Sequence, residues 1–159
     1  MQLHSDWIAL LRELNAAGAR YLVIGAAALS YHGHPRGTRD FDVWVEPAPG
    51  NARRVYKALA SFGAPMEQVT LADFEHDDTV WMIGVEPLRV DVLTGIEGVT
   101  FEEAWPRRAF VRIAELEVPV ISKEDLIRNK RAARRDKDLL DLKVLEGAPK
   151  AAKRRGPLR

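Results

Sequence analysis

Asp40 and Asp42 stand one residue apart at the head of the run Phe41-Asp42-Val43-Trp44-Val45, which is otherwise fit for burial. Carboxylates are depleted in strands and are almost never buried without a partner. Alternation along a strand sends residues i and i+2 to one face. Asp40 and Asp42 therefore project side by side, while Phe41, Val43 and Val45 project into a core. Two like charges so close require a positive partner, and the sequence reads as if that partner comes from outside. Asp91 interrupts a second apolar run, "LRVDVLTG", in the same way; with Val90 and Val92 facing the core, it shares the opposite face with Arg89 and Leu93. If the two strands are neighbours, three carboxylates converge. Such an oxygen set suits Mg²⁺ or Mn²⁺, and Mg²⁺ usually keeps positions for water and substrate phosphate.

Ahead of these carboxylates lies "RYLVIGAAALSYHGHPRGTRD". A strand entering a helix through Gly25 exposes unpaired backbone N–H groups at the positive end of the helix dipole, and a residue without Cβ lets an anion approach. A simple tight turn is the other reading of that junction. Arg36 suits either a phosphate or an acidic strand residue, and Thr38 suits ordering the turn before Asp40. His32, placed just before Gly33, reads as a helix C-terminal contact rather than a base. The four tryptophans form no spaced series, which favours packing over base stacking.

The elements that must position these groups follow from periodicity and punctuation. Ser5 caps a first helix with Trp7, Ile8, Leu11 and Leu14 on one side and Gly18 as its stop. "RYLVIG" is a buried strand, "AAALSYHG" a helix, and the Asp40 strand ends at Pro47 and Pro49. Asn51 to Phe62 is amphipathic, with Gly63 after it. "TVWMIGV" and "LRVDVLTG" form an antiparallel pair turning at Glu86-Pro87. Thr100 opens a capping box, "AFVRI" and "LEVPVI" a further hairpin, and Ser122 caps a helical region reaching about Glu146 with a break near Arg135-Asp136. The order predicts an α/β (α+β) fold, a small mixed sheet flanked by helices with further helices at the C-terminus. One domain over 1–147 and a basic, disordered tail over 148–159 are expected.

Composition narrows the function classes. The 159 residues are 47% hydrophobic and 30% charged, a globular balance. No cysteine is present, which excludes disulfides, thiolate catalysis and cysteine-based zinc sites. No apolar run approaches the ~20 residues of a membrane span, and the N-terminus lacks a signal-peptide layout; a cytoplasmic protein is expected. Net charge is +1, but from Ser122 onward 13 Lys/Arg face 6 Asp/Glu, while the remainder holds 11 against 17. An acidic body beside a basic C-terminal element suits a metal centre facing an anion-binding flank.

Taken together, Gly25, Ala28, His32, Gly33, Arg36, Thr38, Asp40, Asp42 and Asp91 resemble the pattern of the DNA polymerase β-type nucleotidyltransferase superfamily, in particular its minimal AbiEii-like branch, which includes many toxin–antitoxin toxins. The C-terminal "SKEDLIRNKRAARRDKDLLDL" is similar to that branch's closing helices, with Lys130, Arg135, Lys137 and Asp138 at its recurrent polar positions. Ala26 departs from the pattern: it stands where the family carries Gly or Ser, so no hydroxyl is offered there. The resemblance implies that Asp40, Asp42 and Asp91 bind two Mg²⁺ (or Mn²⁺) ions and are catalytic. It places the nucleotide against Gly25, Ala26, Arg36, Thr38, Lys130 and Arg135. It implies an NTP as donor, a hydroxyl on protein or RNA (tRNA included) as acceptor, and a cognate antitoxin as partner. A catalytically silent nucleotidyltransferase-like fold acting as a binding partner is the alternative reading.

Overall fold

Two β-hairpins form the opposite ends of one six-stranded sheet. The structure, a computed structural model, describes residues 3–35, 37 and 39–155, with side chains through residue 147. The strands are β1 (Tyr21–Ile24), β2 (Asp40–Val45), β3 (Val80–Ile83), β4 (Arg89–Leu93), β5 (Ala109–Ile113) and β6 (Leu116–Val120), in the order β3-β4-β2-β1-β6-β5. The end pairs β3–β4 and β5–β6 are antiparallel, as the turn at Glu86-Pro87 and the "AFVRI"/"LEVPVI" pattern predict. Inside, β2 runs parallel to β4 and antiparallel to β1, and β1 runs parallel to β6. The sheet is thus mixed, with helices around it: α1 (Ser5–Ala16), α2 (Gly25–Tyr31), α3 (Pro49–Phe62), α4 (Phe101–Ala104), α5 (Lys123–Ala133) and α6 (Asp136–Arg155).

One face of the sheet is sealed. Phe41, Val43 and Val45 of β2 are almost wholly buried, and the Trp7 ring of α1 stacks on Phe41 with centroids 5.2 Å apart. On α1 the buried residues are Trp7, Leu10, Leu11 and Leu14, so Leu10 takes the place expected for Ile8. Burying a side chain of this size contributes about 1.5–3 kcal/mol each. The α1 N-cap is His4 rather than Ser5: its Nδ1 accepts the Asp6 N–H at 3.0 Å, and Ser5 is already helical. Pro49 starts α3, where its missing N–H costs no bond, and Gly63 ends it in the left-handed region at φ 98°.

The C-terminal helices are fixed by charge as much as by apolar contact. Ser122 Oγ accepts the Asp125 N–H, confirming the cap, and the fully buried Asp125 carboxylate accepts both Nε and Nη2 of Arg107 at 3.0 and 2.8 Å. At Gly98 a Cβ would lie 2.7 Å from that of Ala132, so only glycine lets α5 press this closely on the loop after β4. Arg134, at φ 53°, turns the chain between α5 and α6. The expected break therefore falls at Arg134–Arg135. Helix α6 continues past Glu146 to Arg155. The expected tail boundary at residue 148 lies within it, at the limit of the described side chains, and 156–159 lie outside the described residues. Among the described residues no helix is long and apolar enough to cross a membrane.

Candidate metal and nucleotide site

The opposite face of the same strands carries the charge. Parallel pairing of β2 with β4 sets Asp42 directly beside Asp91 and Asp40 beside Arg89. Because side chains two residues apart share a face, Asp40, Asp42 and Asp91 converge, with one oxygen from each within 4.8 Å of the others. The predicted convergence of three carboxylates from two neighbouring strands is present.

These carboxylates line a cleft of about 1150 Å³. Gly25 and Ala26 also line it, as do Lys130, Arg135 and Lys137 from the α5–α6 junction. Gly25, Ala26, Lys130 and Arg135 line the same cleft as the triad. Arg36 and Thr38 lie outside the described residues.

Each of these residues is held in a specific way. Gly25 opens α2 at φ 70°, and a Cβ there would collide with the Asp42 carboxylate. The close approach that demands glycine is made by an aspartate of the chain itself. Lys130 is 4% exposed, and its Nζ donates to Asp141 Oδ2 at 2.9 Å and Asp138 Oδ1 at 3.5 Å. Asp138 also accepts Arg135 Nε at 2.7 Å and the Arg135 backbone N–H at 3.1 Å. Burial pushes the Asp138 carboxyl up, but the Arg135 hydrogen bonds and nearby charge outweigh it and hold the group below the usual carboxylate range. His32 is the C-cap residue of α2, and its Nε2 lies 2.8 Å from the Ile121 carbonyl. A carbonyl only accepts, so Nε2 carries the proton and the ring serves as a structural tie.

The residue missed by sequence reasoning is Arg89. Its Nη2 donates to Asp40 Oδ2 at 2.7 Å and to Asp91 Oδ2 at 3.2 Å, and its Nε donates to Asp91 Oδ1 at 3.0 Å. The chain thus supplies a cation of its own to the cluster, where an external one was expected. The signal lay in "RVD": Arg89 and Asp91 share a strand face. The hydrogen bonds to Asp91 hold the Arg89 guanidinium above its ordinary pKa. Asp42 lacks that relief. Burial first, then the charges of Asp40 and Asp91, push its carboxyl up to about 7, with Lys137 partly opposing them.

A set of carboxylate oxygens on one sheet face, in a cleft that basic residues also line, fits a hard divalent cation such as Mg²⁺ or Mn²⁺. Such an ion would neutralise the Asp40 and Asp91 charges that, after burial, help to raise Asp42.

The sequence matches no family model and no curated protein. Solved structures do match in fold. A lincosamide antibiotic adenylyltransferase, solved with lincomycin bound, aligns at 12% identity and a TM-score of 0.57 over 91% of this chain and 97% of its own. A candidate nucleotidyltransferase from Thermotoga maritima aligns at 15% identity and 0.55 over 96% and 94%. An antigenic nucleotidyltransferase-like protein from Paracoccidioides brasiliensis aligns at 18% identity and 0.50 over 88% and 72%. These likenesses show a nucleotidyltransferase-like fold, and none of them singles out the AbiEii-like branch.

Proposed function

We propose that this protein is a Mg²⁺- or Mn²⁺-dependent nucleotidyltransferase that moves an NMP group from an NTP to a hydroxyl on protein or RNA. The observation that carries the reading is the meeting of Asp40, Asp42 and Asp91 on one sheet face, in a cleft that Lys130, Arg135 and Lys137 also line. Asp40, Asp42 and Asp91 would hold the divalent ions, which supply charge neutralisation at the phosphates and lower the acceptor hydroxyl's pKa.

In the reaction, the acceptor oxygen bonds to the α-phosphorus and the bond to the β-phosphate oxygen breaks, releasing pyrophosphate. An Asp91 carboxylate oxygen receives the hydroxyl proton. Arg135, with its side chain more than half exposed, contacts the phosphates directly. Lys130 acts from behind, by fixing Asp138, which in turn fixes Arg135. Gly25 and Ala26 offer backbone N–H groups at the opening of α2, and Arg36 and Thr38 complete the nucleotide contacts. A tRNA is one acceptor to test, and a cognate antitoxin is the partner that the sequence resemblance implies.

The decisive experiment incubates the protein with each α-³²P-labelled NTP, Mg²⁺ and a cell extract, then identifies the labelled macromolecule. Labelling is expected in wild type and absent in the Asp40→Asn/Asp42→Asn variant. One specific observation favours a second reading, a silent fold acting as a binding partner: Ala26 stands where the resembled family carries Gly or Ser. That reading requires that no NTP gives label above the double variant.

A further inference from the structure

The Arg89 guanidinium is bonded to two of the three carboxylates that a metal ion would need. Its three hydrogen bonds, at 2.7, 3.0 and 3.2 Å, use one oxygen of Asp40 and both oxygens of Asp91. Register explains the reach: Arg89 pairs with Asp40 across the β2–β4 ladder and sits two residues before Asp91 on the same face. The Arg89 side chain is 27% exposed and Asp91 is 14% exposed, so water screens these contacts only in part. An arginine at this point is a permanent charge, since its pKa lies beyond any working pH.

A divalent ion entering among the same oxygens meets this charge at close range. Within about 4 Å, like charges repel by several kcal/mol at the effective dielectric of a partly buried site. The guanidinium must therefore leave or shift as the ion enters, and its contacts with Asp40 and Asp91 are lost. A freed guanidinium in the cleft needs another anion. A triphosphate offers paired phosphate oxygens that the arginine fork can bond two at a time.

We propose that Arg89 is the resident counter-cation of the metal-free carboxylate triad, and that its transfer onto the incoming triphosphate couples metal binding to nucleotide binding. This rests on the nucleotidyltransferase reading given above. Metal alone then binds weakly, because it must displace Arg89 without compensation. Metal with triphosphate binds strongly, because the displaced group gains a new partner. Such coupling is reciprocal by thermodynamic necessity. Arg89 is a triphosphate-binding residue once displaced, and no transfer reaction is needed to detect its role.

The test measures Mn²⁺ binding to the full chain by electron paramagnetic resonance, with and without inorganic triphosphate, in wild type, Arg89→Met and Arg89→Lys. Arg89→Met should bind Mn²⁺ alone roughly tenfold more tightly than wild type, the scale of a ~1.4 kcal/mol coupling. It should also gain less than wild type from added triphosphate. Arg89→Lys keeps the charge without the fork, and should fall between the two on both measures; it decides the question if Arg89→Met does not fold. Mn²⁺ affinity in Arg89→Met equal to or weaker than wild type would overturn the inference and make the arginine a brace for the triad. Arg89→Lys identical to wild type on both measures would overturn it as well. Absence of Mn²⁺ binding in wild type under every condition defeats the nucleotidyltransferase reading itself, and this inference with it.

Discussion

Gly25 and Asp42 share a space that admits only one side chain. Ile24 of β1 pairs with Asp42 of β2, and the chain leaves β1 at Gly25 with φ 70°, so that any Cβ there would collide with the Asp42 carboxylate. Gly25→Ala should combine the cost of a left-handed alanine, about 1–3 kcal/mol, with displacement of Asp42 from the triad. The expected result is a lowered Tm together with weakened Mn²⁺ binding. A lower Tm with unchanged Mn²⁺ affinity would mean that Asp42 relaxes back without loss.

The pH dependence follows from the same carboxylate. Asp42 is pushed from its ordinary 3.8 up to about 7, chiefly by burial and then by Asp40 and Asp91. A folded-state pKa above the unfolded value means that the protonated form is favoured by folding. In metal-free protein the stability from this group is full below about 3.8 and is lost as pH rises through about 7. Metal binding runs the opposite way, because the ion requires the carboxylate. Mn²⁺ affinity should rise about tenfold per pH unit below that pKa and level off above it. Asp42→Asn should flatten the stability profile, read as Tm against pH in chelator and checked against wild type.

Much of this site is legible in the residues. Asp40, Asp42 and Asp91 each break an apolar strand pattern, and strand alternation alone puts each on the face away from the core. The hairpins, the Ser122 cap and the turn between α5 and α6 are likewise local signals. What is not local is the partner of each charge. The bond from Arg89 to Asp40 depends on the parallel register of β2 and β4, which nothing in either strand specifies alone. Gly25 reads from sequence as room for a phosphate, and its steric partner, Asp42, lies 17 positions away on another strand. The burial of Lys130 depends on how α6 returns over α5 after Arg134, so its two carboxylate partners appear only once the helices pack.

That buried network separates two roles among the basic residues of the cleft. Lys130→Ala removes the cation that Asp138 and Asp141 share, and breaking a buried pair from one side costs about 3–5 kcal/mol. Arg135→Ala removes a group that is itself exposed and leaves Asp138 bonded to Lys130, so its effect on stability should be smaller than that of Lys130→Ala. Nucleotide affinity should fall in both, roughly tenfold for Arg135→Ala. Urea denaturation beside nucleotide titration checks the split. Equal stability losses would show that Arg135 is as structural as Lys130.

Asp91 offers the sharpest separation of binding from chemistry. It lies beside Asp42 in register, yet it comes from the other strand and has both oxygens engaged by Arg89. In Asp91→Asn, Asp40 and Asp42 remain to hold a nucleotide-bound ion, so NTP affinity in Mg²⁺ should stay within about threefold of wild type. Transfer should fall by roughly three orders of magnitude or more, because the amide can neither accept the hydroxyl proton nor complete the carboxylate set. Mn²⁺ without nucleotide should also bind differently, since Arg89 loses its two-pronged partner while the triad loses a charge. The measurement is NTP affinity set against transfer rate in wild type and Asp91→Asn. Parallel loss of both would place Asp91 in nucleotide binding instead of proton transfer, and unchanged transfer would reduce it to an ordinary strand residue.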